Sequence, residues 1–184
     1  MPADCGSAAR QGPAVSGAHP CGADRGAPVA DLGYTAEQRH VLTVARHYFS
    51  SFAQPERQGW LSAISAALHL FGHARGPEVA VATLAMVQTM RRSRQSVFRF
   101  NSPDCPACAA RVTPQERAMM SALRAAALDM DDAARAHAAI LCEGNDAEDF
   151  LRAVGCLADR ALPRPAARAP QDRRRDKAVA AGRR

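Results

Sequence analysis

The chain reads as an all-α protein: a single-domain bundle of about six helices, in two helical halves joined by a cysteine-containing loop. Three observations predict that class. Apolar residues recur at three- and four-residue spacing in one segment after another. Two of these segments open with a Thr followed three residues later by Gln or Glu, the reciprocal capping-box pattern of a helix start. No two segments alternate apolar and polar residues as paired strands would, and 184 residues suit one domain with a real core.

The elements follow in order. Residues 1–32 are rich in Gly, Pro, Ser and Ala with no apolar period, too little to offset the entropy of ordering, and are expected to form a disordered arm that contains Cys5 and Cys21. The helical domain is placed at 33–162. In its first half, 33–95, Thr35 and Gln38 open a helix over about 36–53, with Val41, Val44, Ala45, Tyr48, Phe49 and Phe52 on one face. Pro55-Glu56 starts a second helix, carrying Trp60, Leu61, Ile64, Leu68 and Phe71 to a stop at Gly72. Gly76-Pro77 opens a third, ending at Arg91, Arg92 and Arg94, cations that suit a helix C-terminus.

Residues 96–112 form the loop between the halves, with Val97, Phe98 and Phe100 able to make a short extended piece. The second half, 113–162, begins at Thr113-Pro114-Gln115-Glu116, a complete start signal for a helix to about Asp129. Asp131 and Asp132 open an Ala-rich helix that stops at Gly144, and Asn145 with Glu148 opens a last one through Leu162. Pro163 and Pro165 end it, and 163–184 is expected to be a disordered Arg-rich tail.

The net charge of +6 belongs to that tail, because residues 160–184 balance at +7 and the rest of the chain at −1. Arg173, Arg174, Arg175 and Lys177 are the candidate phosphate contacts, since Arg-rich segments bind nucleic-acid backbones by counterion release without a folded site. Aromatic residues that would stack on bases are absent from the tail. No apolar run reaches the roughly 18–20 residues of a membrane span, and the N-terminal residues lack a signal-peptide pattern. The expectation is a cytoplasmic protein with no membrane partner and with reduced cysteines.

One stretch carries chemistry. Cys105-Pro106-Ala107-Cys108 has the spacing that turns two thiolates toward one point, as in half of a zinc knuckle. No second Cys-x-x-Cys supplies the other half. The short link between helices four and five makes them antiparallel neighbours, which brings Cys142 back toward the start of helix four and the cysteine loop. Cys105, Cys108 and Cys142 are therefore the candidate metal ligands, with His137 behind them and zinc as the candidate ion. His69 and His73, one helical turn apart, are a weaker chelating pair. The same tetrad resembles the active-site motif of thioredoxin-like proteins over four residues only, and that fold needs a strand before the motif and a parallel sheet around it. A thiol oxidoreductase would use Cys105 as the attacking thiolate and Cys108 as the resolving thiol.

Phosphate-binding loops, nucleophile elbows and dinucleotide fingerprints are absent, which argues against a nucleotide enzyme. The sequence thus points to a small non-enzymatic regulatory or adaptor-type helical protein that works through a protein partner, with the CPAC loop as a structural metal site or thiol sensor. A thiol oxidoreductase and nucleic-acid binding through the tail are the alternatives.

Overall fold

Helix starts dominate the architecture of the chain, which was built as a computed structural model describing residues 26–163. Helix α1 spans Ala36–Ala53 behind a complete capping box: the Gln38 amide donates to the Thr35 hydroxyl at 3.2 Å, and the Thr35 amide donates to the Gln38 side chain at 3.1 Å. Pro55–Arg57 winds as a single 3-10 turn, and Gln58 then takes a left-handed conformation, so helix α2 begins at Gly59 rather than at Pro55. Gly59 lies against α1 so closely that a Cβ there would meet the His47 carbonyl oxygen at 2.8 Å.

Helix α2 covers Gly59–Ser93 but is broken at Gly72, whose φ of 76° and ψ of 166° only glycine adopts without strain. The stop expected at Gly72 is therefore a sharp corner, and the chain resumes helix straight after it instead of at Gly76-Pro77. The first half of α2 packs on α1, and the second half runs antiparallel to the last helix. Ser93 donates to the Asp146 carbonyl at 2.8 Å at one end of that pair, and Arg75 donates to the Arg160 carbonyl at 2.7 Å at the other.

A short helix α3, Pro106–Ala109, and a two-residue strand β2, Arg111–Val112, occupy the loop between the halves. Strand β2 pairs antiparallel with β1, Ala27–Pro28, with Ala27 opposite Val112 and Pro28 opposite Arg111. Val29–Leu32 continues as a 3-10 turn. Residues 26–32, expected in the N-terminal arm, are thus part of the fold, and one short strand pair exists where none was expected. Gly26 permits it, since a Cβ there would collide with the Val112 carbonyl oxygen at 1.9 Å. The remainder of the expected arm, with Cys5 and Cys21, and the basic tail from Arg164 onward, with Arg173, Arg174, Arg175 and Lys177, lie outside the described residues.

Helix α4, Pro114–Ala127, starts at the predicted capping box. A turn with Asp129 left-handed reverses the chain into α5, Asp131–Leu141, and α6 spans Glu148–Ala161. Asn145 does not cap α6. Its side-chain amide donates to the Ser93 carbonyl at 2.8 Å, and Asp146 accepts from the Glu148 amide at 2.9 Å instead. The core lies among α1, both halves of α2, α4 and α6. Fully buried Val41, Val44, Met86, Met90, Met119, Met120, Leu123, Phe150 and Leu157 fill it together with many alanines. This is the tight packing with few large anchors that an alanine-rich, aromatic-poor composition dictates. Helix α5 sits at the edge, packed chiefly on α4. Among the described residues no helix is long and apolar enough to cross a membrane.

Candidate functional site at the CPAC turn

Cys105 sits at the N-cap of α3 and Cys108 on its third residue, so one turn of helix places the two thiols close together. Their surroundings differ. Cys105 is partly exposed, whereas Cys108 is 3% exposed. Pro106 at the first helical position presets the turn, and backbone hydrogen bonds from Ala109 to Cys105 (2.8 Å) and from Ala110 to Pro106 (3.0 Å) close it.

What fixes this turn to the body of the protein is a buried ion pair. Arg46 on α1 and Glu116 on α4 are 2% and 0% exposed, and the guanidinium meets the carboxylate through two bonds: Nε to Oε1 at 2.7 Å and Nη2 to Oε2 at 3.0 Å. The remaining capacity of both groups is used on the loop. Arg46 also donates to the Ala109 carbonyl at 2.9 Å and to the Arg111 carbonyl at 2.5 Å. Glu116 accepts in addition from the Asn101 amide at 3.1 Å and the Thr113 amide at 2.8 Å. Asn101 returns a side-chain bond to the Arg111 carbonyl at 2.8 Å. A buried charge pair is tolerable when its lone pairs and protons are satisfied in this way, and the arrangement locks the exit of the CPAC turn to two core helices.

Beside the segment that leads into the turn lies a partly enclosed cavity of about 70 Å³ with a mixed polar and apolar lining. Its lining includes His47 and Ser50 from α1, Gln54 just after it, Ser62 from α2, and Ser102, Asp104 and Phe100 from the segment that leads into Cys105. His47 is half-buried. Burial pushes its imidazole below the usual histidine range, and the Asp104 carboxylate acts in the opposite direction. Phe100 and Phe98 hold the segment on α1 by packing against Phe49, with ring centroids 5.5 Å and 4.4 Å away.

Cys142 is not part of this assembly. It caps the C-terminal end of α5, fully buried, and faces Ser93 and Arg94 at the end of α2. Burial pushes its thiol up, with a Ser93 hydrogen bond and the Arg94 charge opposing. His137 lies half-buried further back on α5. Two thiols fall short of the four ligands a structural zinc takes, and among the described residues no group of three His, Cys, Asp or Glu side chains is placed to hold a metal ion. His69 and His73 are both exposed, and the corner at Gly72 lies between them, which breaks the one-turn spacing expected of that pair.

Arg46 and Glu116 carry the site without having been singled out from the sequence, except that Glu116 was expected in the capping box. The available signal is an arginine within the apolar stripe of helix one and a capping-box carboxylate that has one oxygen to spare. A further surface feature lies on the first half of α2. Residues 59–72 contain no Asp, Glu, Lys or Arg, while Trp60, Leu61 and Ile64 stand 47%, 48% and 37% exposed. No protein-family model matches the sequence, and neither a curated protein nor a solved structure matches it.

Proposed function

We propose that this protein is a helical regulatory module in which the CPAC turn is a thiol switch. Oxidation joins Cys105 to Cys108, with loss of two protons and two electrons to an oxidant. The observation that carries the reading is the coupling of that turn to the Arg46–Glu116 network: a change in backbone at Cys105–Arg111 reaches α1 and α4 through the carbonyls of Ala109 and Arg111. Unequal exposure supports it, because a partly exposed first thiol is open to attack while a buried neighbour is held ready to resolve. The exposed apolar start of α2, which also contributes Gly59 and Ser62 to the cavity beside the segment leading into the turn, supports a partner protein as the recipient of the signal.

The test is amide hydrogen exchange on reduced protein and on protein oxidised with diamide. Altered exchange confined to residues 97–117 and the middle of α1, with α5 and α6 unchanged, is the expected result. Failure to form the Cys105–Cys108 disulfide, or identical exchange in both states, would overturn the reading. A thiol oxidoreductase using the same pair stands as the second reading on the same exposure pattern. It requires in addition that the disulfide passes to a second protein.

A further inference from the structure

We infer that the outer face of the first half of α2 is where two copies of this chain pair, antiparallel to one another. The inference rests on the thiol-switch reading only in naming the partner protein to which that reading assigns the face. From Gly59 to Phe71 the helix is apolar on two sides. Its small residues Gly59, Ala63 and Ala67 are buried on the side that meets α1, where Gly59 touches the α1 backbone. Its large residues stand on the opposite side: Leu61, Ile64 and Leu68 recur at three- and four-residue spacing with Trp60 beside them, and all four are exposed or half-exposed. Packing within one copy is thus complete without the large side chains, which are turned away from it. A helix that is apolar all round is stable where its second face is also covered, and the three-four spacing is the seam that one helix offers to another.

Charge and area both point to a second copy as the occupant. A two-fold pair sets a surface against itself, so any charge on it would meet its like. Residues 58–74 contain no Asp, Glu, Lys or Arg, and the face meets itself without that cost. The flanks choose the direction. Parallel pairing would bring exposed Glu56 to Glu56 and Arg57 to Arg57, whereas antiparallel pairing gives Glu56 of each copy the His73–Arg75 end of the other as its neighbour. In that order Leu61 of one copy lies over Leu68 of the other, and Ile64 sits near the two-fold axis. At about 200 Å² for a fully exposed large residue, the open parts of Trp60, Leu61 and Ile64 amount to about 250–300 Å² per copy. Interfaces are roughly 60% apolar, so covering these residues in both copies corresponds to an interface of about 1,000 Å², the size at which specific contacts begin. A reversible dimer of micromolar strength follows from that size.

The test is sedimentation of the full chain over a range of concentrations in reducing buffer, read together with the emission of Trp60, the one tryptophan of the sequence. The expected result is a monomer–dimer equilibrium with half-association between about 1 and 100 µM and a blue shift of the Trp60 emission over the same range. Leu61→Glu and Leu68→Arg, each checked for folding by circular dichroism, should weaken association at least tenfold. An equimolar mixture of the two should recover it, because antiparallel pairing sets position 61 of one copy on position 68 of the other. A mixture that stays monomeric while each variant is folded would overturn the antiparallel order. A monomer at every concentration, or a dimer that neither substitution weakens, would overturn the pairing. A monomer whose Trp60 emission is already that of a buried indole would overturn it too, and would assign the cover to the chain's own residues outside 26–163. Mapping disulfides in the same samples after diamide treatment separates this inference from the switch. A Cys105–Cys108 disulfide in a protein that stays monomeric would overturn the pairing alone, and its absence from a protein that dimerises would overturn the switch alone.

Discussion

Replacing Glu116 with Gln removes the negative half of the buried pair while keeping its shape. Four donors converge on the two carboxylate oxygens: Arg46 Nε and the Asn101 amide on Oε1, Arg46 Nη2 and the Thr113 amide on Oε2. Whichever way a glutamine amide is turned, its NH₂ group faces two of those donors, and each buried donor left without an acceptor costs about 1–3 kcal/mol. The Arg46 charge also loses its counter-ion, and breaking a buried pair from one side costs about 3–5 kcal/mol. Both routes give a loss of about 4 kcal/mol, which urea denaturation followed by circular dichroism will measure as a lower midpoint at unchanged slope. The coupling is tested by Arg46→Met and the double variant, whose loss should fall short of the summed single losses by about 2 kcal/mol. A loss below about 1 kcal/mol for Glu116→Gln, or additive losses in the cycle, would refute the view that this pair anchors the CPAC turn.

The other predictions concern the frame around the site. Gly59→Ala should destabilise by about 1–3 kcal/mol, since its Cβ meets backbone atoms of His47 and Ser51 at 2.8 and 2.9 Å and α1 must move away; an unchanged urea midpoint would contradict the close approach. Thr113→Ala should cost more than Thr35→Ala, about 2 against about 1 kcal/mol, because the Thr113 hydroxyl also donates to the Arg99 carbonyl at 2.9 Å; equal losses would contradict this. Glu143 has its carboxyl lowered to about 2, chiefly by the Ser96 hydroxyl and then by the backbone amides of Gln95 and Ser96. Its folded value lies below the unfolded one, so its contribution is complete above about pH 4.5 and is lost as pH falls through about 2. A carbon-detected titration should therefore find the Glu143 carboxyl ionised at pH 3.5, and a midpoint near the ordinary glutamate value would refute the contact.

How much of this was legible in the sequence follows from which forces are local. Helices α1 and α4 were placed within a residue or two because Thr35, Thr113 and their third-residue partners are complete start signals on their own. The boundaries of α2 were shifted because Pro55–Arg57 wound into a 3-10 turn ended by a left-handed Gln58, a backbone choice that no side-chain pattern announces. Cys142 shows where such reasoning stops. A short link and a rise of 1.5 Å per residue place it at the level of the start of α4, but rotation about the α5 axis decides what it faces, and packing turns it to Ser93 and Arg94. Arg46 and Glu116 are 70 positions apart, and only the docking of α4 beside α1 makes them a pair. Strand β1 was hidden in a segment whose composition resembles a linker, and its order comes from two pairings with β2 and the absence of a Cβ at Gly26.

The most direct test of the thiol switch is a redox equilibration of the reduced protein in glutathione buffers, quenched by alkylation and mapped by peptide mass. The account predicts a single two-electron transition that links Cys105 to Cys108, with a midpoint between about −300 and −180 mV, while Cys142 and Cys156 stay alkylatable as thiols throughout. Thiols at Cys105 and Cys108 that remain unjoined across that range, or a disulfide that recruits Cys142 instead, would contradict it.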